Sequence, residues 1–178
     1  MINLLAVLLV LLGVRVTSLH ADSPKPDQRW REIYTVLAYG DGVFEPDTWL
    51  ASAEENADRT TATWSNDTLG ALAYAEYLHF DGGVTPEGID KYFSDDSFKV
   101  ILSNYEQWER TALCSRNGLT LREFAVTNNQ IDYRLRYWTK AAGPTRVLAL
   151  FIVFPKDKPH ELDTYAKRLF PDLVSCQS

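Results

Sequence analysis

Residues 119–155 read LTLREFAVTNNQIDYRLRYWTKAAGPTRVLALFIVFP, and their pattern sets the fold. In the middle, Ile131, Tyr133, Leu135 and Tyr137 alternate with Asp132, Arg134, Arg136 and Trp138. A period of two sends alternate side chains to opposite faces of a sheet, one of them buried. Leu119–Val126 and Arg146–Pro155 read as strands on either side, and the second is apolar for eight consecutive residues. A strand without polar alternation is expected to be central and covered on both faces. Thr127–Gln130 (TNNQ) and Ala141–Pro144 (AAGP) tolerate turn dihedrals and separate the three strands into an antiparallel meander.

Upstream of the meander, Gln107–Cys114 reads as a further strand. Ser115–Gly118 (SRNG) joins it to the meander, with Asn-Gly as a strong hairpin signal. Thr85-Pro86-Glu87 has the form of a helix start: a threonine cap, a proline at the first position and an acid in the first turn. Ile89, Tyr92 and Phe93 then share a face. Ser94, followed by Asp95 and Asp96 at the positive end of the dipole, starts a second short helix. Its Phe98, Ile101, Leu102 and Tyr105 recur at helical spacing. Thr60–Trp64 (TTATW) reads as a strand broken by Ser65–Thr68. Leu69–Phe80 is ambiguous: Leu72, Tyr74, Leu78 and Phe80 at period two make it a strand, the reading preferred, while Leu69, Leu72, Ala73, Glu76 and Phe80 would also make a helix face. Asp81-Gly82-Gly83 ends it in either case. Before these, Trp30–Ala38 reads as a first strand or ordered lead-in, Tyr39–Gly42 as a turn, and Val43–Leu50 as a further turn or the start of a strand. At the other end, a helix begins near Asp157 with Pro159 in its first turn and presents Leu162, Tyr165, Ala166 and Leu169 as one stripe. Lys167 and Arg168 suit its C-terminal end, and Pro171 stops it.

Leu4–Val14 is an apolar run of eleven residues. A bilayer-spanning helix needs roughly 20, so the run suits the core of a secretory signal, with Val16–Ala21 as the cleavage region. Residues 1–21 are therefore expected to be a signal peptide, 22–29 a linker and 30–178 one domain. No cysteine follows the run directly, so nothing supports a lipid anchor. The two cysteines, Cys114 and Cys176, form an even count in a chain expected to reach an oxidising compartment. A structural disulfide between them is the expectation; without a C-x-x-C spacing, a redox pair is not. The localisation that follows is secreted or extracytoplasmic, in the periplasm or cell envelope if the source is bacterial.

With 18 basic and 24 acidic residues the net charge is −6, and loss of Arg15 with the signal segment takes it to −7. Such a chain, with no run of lysine or arginine, argues against nucleic acid and anionic membrane surfaces as partners. No membrane span is expected after signal removal, and a monomer is expected. No G-x-S-x-G, H-E-x-x-H or phosphate-loop motif occurs. Beyond the signal segment only His79 and His160 remain, too few for a three-histidine metal site, and no D-x-D-x-D-G spacing supports calcium. No metal and no cofactor are expected. Asn66-Asp67-Thr68 has the form of an N-glycosylation triplet. The candidate binding residues lie on the meander: Arg122 and Phe124 on one strand, Arg134, Arg136 and Trp138 on the next. If they lie side by side they make a basic, aromatic patch for an anionic or sugar-like ligand, or for a partner's acidic segment. A covering helix, with the arginines paired to acidic neighbours such as Glu123 or Asp132, is the competing arrangement.

Thr85–Phe93 (TPEGIDKYF), the strands IDYRLRYW and RVLALFIVFP, and the RLFP at the end of the last helix carry a resemblance in element order to the PsbP-like superfamily. That family includes extrinsic proteins of photosystem II and bacterial exported proteins, and the likeness spans roughly Val43–Pro171. It implies an α+β domain, a curved antiparallel sheet flanked by helices in an α/β/α sandwich, and a non-enzymatic binding or assembly role. Two functions are carried forward. One is an exported, non-catalytic binding or accessory domain recognising a protein partner or small ligand. The other is a small extracytoplasmic hydrolase or cyclase that uses a buried carboxylate–His79 pair in an α+β cavity.

Overall fold

The structure, a computed structural model, describes residues 49–55 and 59–177. The expected signal segment, the linker and the elements read between Trp30 and Thr48 lie outside these residues. The strands are β1 (Leu50–Glu55), β2 (Arg59–Asn66), β3 (Ala71–His79), β4 (Gln107–Arg116), β5 (Leu119–Asn128), β6 (Ile131–Ala141) and β7 (Arg146–Pro155). The helices are α1 (Pro86–Tyr92) and α2 (Asp95–Ile101), both between β3 and β4, and α3 (Pro159–Leu169), which follows β7. Among the described residues the strands form one open antiparallel sheet in the order β1-β2-β3-β7-β6-β5-β4. Helices lie on both of its faces, which makes the domain an α+β sandwich.

β7 is the middle strand of the seven, and its apolar run explains why. Leu148, Leu150, Ile152 and Phe154 point into a core closed by Leu162, Ala166 and Leu169 of α3. Val147, Ala149 and Val153 point into a second core, closed by Phe93 after α1, by Phe98 of α2 and by Leu102 just after it. Only a strand apolar on both faces can occupy that position. β3 has the same two-sided character. Its Ala71, Ala73 and Ala75 admit the α3 layer, while Leu72 and Leu78 serve the other core. The residues read at period two on β3 thus face α1 and α2.

The helix starts follow the sequence signals. Thr85 Oγ1 accepts a hydrogen bond from Gly88 N at 3.0 Å, and Pro86 occupies the first turn of α1. α2 begins after Ser94 with Asp95 and Asp96 in its first turn. Asn117 and Gly118 take φ values of 53° and 76° in the β4–β5 turn, where positive φ at both central residues matches the twist of the strands. Asn129 and Gln130 do the same between β5 and β6 at 50° and 63°, which leaves a tighter loop than the four residues read as turn.

Strand bounds differ in instructive places. β2 runs through Asn66 instead of breaking at Ser65, because Ser65 and Asn66 pair with Leu72 and Ala71 of β3. β1 starts at Leu50, the end of the segment read as a turn or strand start, but the sequence does not announce its run to Glu55, since LASAEE lacks the β-branched and aromatic residues that mark strands. β4 carries an irregularity no pattern announced. Arg110 opposes Phe124 and Ala112 opposes Glu123, so Thr111 is an extra, bulged residue. The bulge reverses the phase of the strand. Trp108 packs with the α1–α2 core, whereas Cys114, which an unbroken alternation would place on the same face, packs with the α3 core. There it is bonded to Cys176, with Cα atoms 5.6 Å apart. The disulfide expected from the cysteine count is present, and it ties the segment after α3 to β4.

Candidate functional site

Of the five meander residues proposed to form one patch, the sheet brings only two together outside the cores, Arg134 exposed and Arg136 largely covered. β5 and β6 pair with Leu121 opposite Trp138, Arg122 opposite Tyr137, Glu123 opposite Arg136, Phe124 opposite Leu135 and Ala125 opposite Arg134. Directly opposed residues share a face, so Arg122 and Phe124 lie on the α1–α2 face and Arg134, Arg136 and Trp138 on the α3 face. Arg122 and Phe124 are buried in the core, at 2% and 1% exposure. Phe124 packs against Phe98 and Trp108, and the Arg122 guanidinium lies over the Phe93 and Phe98 rings. Trp138 is buried against Phe170 and donates its Nε1–H to Leu173 O at 2.9 Å. The single patch is therefore not formed, and three of its members are core residues.

Arg134 and Arg136 instead line a groove enclosing about 670 Å³. Its origin is geometric. α3 and the segment after it cover β7, β3 and β2, and the apolar core they close takes in Trp138 of β6 and Leu119 and Leu121 of β5. The opposite ends of β4, β5 and β6 are left uncovered, and Ala125, in the middle of β5, is exposed. Pro159, Leu162 and Asp163 of α3 form one wall, with Ser175 and Gln177 of the disulfide-tied tail nearby.

The groove floor is built of rows that cross the three strands. One row is Gln107, Thr127 and Asp132; the next is Glu109, Ala125 and Arg134; the third is Ala112, Glu123 and Arg136. The charges of the outer rows are paired within the chain, although Arg136 Nη1 is left buried without a partner. Asp132 accepts from Thr127 Oγ1 at 3.0 Å and from Lys156 Nζ at 3.2 Å, and these bonds hold its carboxyl below the usual carboxylate range. Arg136 donates from Nε to Glu123 at 3.0 Å and pairs through Nη2 with Asp163 of α3 at 2.7 Å. That arrangement contains the pairing with Glu123 that the sequence suggested, and it fixes α3 to the sheet beside the groove. The middle row is different. Among the described residues the side chains of Glu109 and Arg134 make no hydrogen bond or ion pair, and the side chain between them is a single methyl group.

The α1–α2 face holds a buried polar cluster. Tyr137 donates to Glu76 Oε1 at 3.4 Å and Tyr74 to Glu76 Oε2 at 3.3 Å. Burial, and then the charge of Glu76, push the Tyr137 hydroxyl well above its ordinary pKa. Arg122 donates to Thr139 Oγ1 at 3.1 Å and sits 3.6 Å from the exposed Asp90 carboxylate, while its Nε has no partner. Burial lowers its pKa, against the opposing pull of Asp90. These groups lie beneath the helices and not in the groove.

The remaining sequence candidates fall at the surface or in turns. His79 is exposed at the end of β3, 3.5 Å from the carboxylate of the fully exposed Asp81, so the buried carboxylate–histidine pair is not formed. His160 is exposed in the first turn of α3. Asn66 is buried, and its Oδ1 accepts from Leu69 N at 2.9 Å, so in the folded domain the glycosylation triplet is engaged in the β2–β3 turn. Among the described residues no group of three or more His, Cys, Asp or Glu is placed to hold a metal ion, and no helix is long and apolar enough to cross a membrane.

Sequence reasoning found Arg134 and Arg136 but missed Glu109 and Ala125. The facing of Glu109 depends on the bulge at Thr111, for which the sequence carries no signal, whereas that of Ala125 follows from the unbroken alternation of β5. No family model matches the chain, and no curated protein matches it. One similar solved structure is that of LpqN, described as involved in cell envelope biogenesis of Mycobacterium tuberculosis. The match covers 72% of this chain and 84% of that one, at 12% sequence identity and a TM-score of 0.42.

Proposed function

We propose that this protein is an extracytoplasmic, non-catalytic accessory domain that binds its ligand or partner in the groove over β4, β5 and β6. The observation that carries the reading is the uncovered middle row of the groove floor, Glu109–Ala125–Arg134, set between two rows whose charges are already paired. The groove's volume of about 670 Å³ falls within the range of small-molecule sites, roughly 300–1,000 Å³. The groups with the most strongly displaced pKa values, Tyr105 and Tyr137, stand apart from it, which favours binding over acid–base chemistry there. The Cys114–Cys176 disulfide supports an oxidising compartment. The element order, which resembles that of the PsbP-like superfamily, is in keeping with a binding or assembly role.

The test is a thermal-shift screen of the disulfide-intact protein against sugars, amino acids, lipids and anionic metabolites, run beside the variant Ala125→Trp. Ala125 is exposed, so the indole fills the groove without entering either core. A ligand at about 100 times its dissociation constant adds about 2.7 kcal/mol of stability. The reading expects at least one compound to shift the native protein and to lose that shift in Ala125→Trp. Shifts that are indifferent to Ala125→Trp place binding elsewhere and overturn the groove assignment.

A further inference from the structure

We infer that the groove selects a small dipolar ligand, one carrying a carboxylate that meets Arg134 and an ammonium group that meets Glu109. The inference rests on the groove being the binding site and specifies what it takes. Register puts the two residues on one line across the sheet, Glu109 on β4 and Arg134 on β6, each directly opposite Ala125 on β5. Strands lie about 4.8 Å apart, so the two backbones are roughly 10 Å apart, and both side chains can lean in over the methyl group. In the rows on either side the ionised groups bind other residues of the chain, Asp132 with Lys156 and Arg136 with Glu123 and Asp163. The middle row presents one charge of each sign with neither engaged.

The charge pattern also disfavours ligands of one charge only. A simple anion placed on Arg134 gains Arg136 two residues along β6 but has Glu109 and the paired Glu123 carboxylate facing it from the other strands. A simple cation placed on Glu109 faces Arg134. A ligand with both charges satisfies both ends and is repelled by neither, which is how opposed charges produce selectivity. The guanidinium offers a planar pair of donors to a carboxylate, and Glu109 accepts from an ammonium group. The bulge at Thr111 belongs to the device, because it lets β4 present Glu109 to the groove while Cys114 faces the same side and anchors the tail that borders it.

The experiment is calorimetric titration of the disulfide-intact protein with β-alanine, γ-aminobutyrate and ε-aminocaproate, against butyrate and butylamine as probes of one charge only. The expected result is that one of the amino acids binds at least about tenfold tighter than either single-charge probe. Glu109→Gln and Arg134→Gln should each abolish that advantage. The double exchange Glu109→Arg with Arg134→Glu should restore it, since a dipolar ligand can bind reversed. Both positions are exposed, so all three variants keep the cores intact. Butyrate binding as tightly as γ-aminobutyrate, or advantage lost in Arg134→Gln but kept in Glu109→Gln, overturns the dipolar assignment. If no amino acid binds while another compound still shows a shift that Ala125→Trp removes, the dipolar assignment falls and the groove reading stands. If Ala125→Trp also changes nothing, both fall.

Discussion

Arg122 shows how a residue can look like a ligand contact in sequence and be a structural compromise in the fold. Its guanidinium is enclosed by Phe93 and Phe98, it bonds Thr139, its nearest carboxylate is the exposed Asp90 at 3.6 Å, and Nε makes no bond. A buried charge this thinly compensated adds little net stability, because desolvation offsets what the partners return. Arg122→Met, which keeps the contacts with both rings, is therefore expected to be neutral or stabilising by about 1 kcal/mol in urea denaturation. A loss of several kcal/mol would mean that the guanidinium is better compensated than its partners indicate. Tyr137 gives a prediction of the opposite kind. Burial and the Glu76 carboxylate raise its hydroxyl well above the ordinary phenol pKa, and burial also raises Tyr105. A phenol whose pKa is raised on folding is protonated in the native state after the unfolded chain has begun to lose its proton. The stability it contributes is thus complete below about pH 10 and declines as pH rises beyond that. Denaturation midpoints should be level from neutral to about pH 9 and fall steeply above it. A midpoint unchanged up to pH 11 would contradict the placement of these hydroxyls.

At the scale of elements, the disulfide and the bulge act together. The Cys114–Cys176 bridge closes a loop with a sequence separation of 62, for which the chain-entropy relation gives roughly 4 kcal/mol. Replacing both cysteines by serine should lower unfolding stability by an amount of that order and loosen the tail at Ser175 and Gln177. A loss below about 1 kcal/mol would show that the tail is held chiefly by Leu173 and by the Trp138 bond to its carbonyl. Deleting Thr111 should leave the disulfide in place, since the residues on either side already oppose successive positions of β5. It would, however, straighten β4, the sheet's outer strand, and regular edges invite pairing with other chains. Size-exclusion chromatography should then show dimers absent from the parent protein; failure of the disulfide to form would contradict the register. The elements also show what a sequence can disclose. β7 was legible to its last residue because eight apolar positions in a row suit only a strand covered on both sides. Helix starts were legible because Thr85 and Pro86 act within one turn of chain. The facing of Arg122 was legible too, and was misjudged. A loop of either two or four residues between β5 and β6 sets even-numbered residues of one strand against odd-numbered residues of the other, so Arg122 and Arg134 could not share a face.

Across the whole molecule, function depends on what the second layer leaves uncovered. α1 and α2 close one face of the sheet; α3 closes most of the other and is pinned to it by Arg136–Asp163. The groove is the remainder, and it arises from α3 being eleven residues long on a sheet of seven strands. No local pattern in the sequence encodes such a remainder. It appears only when strand order, register and helix placement are combined, which is why Arg134 could be named from sequence and its companions Glu109 and Ala125 could not. The central claim is that this groove is where the protein binds. The most direct measurement is chemical-shift mapping on the ¹⁵N-labelled, disulfide-intact protein, titrated with the compound that gives the largest thermal shift. The account predicts that the amides moving most are those of Glu109, Ala125 and Arg134, with the α3 residues beside Asp163, and that Ala125→Trp abolishes the response. Perturbations centred instead on α1, α2 and the residues around Arg122 would place the site on the opposite face of the sheet and contradict it.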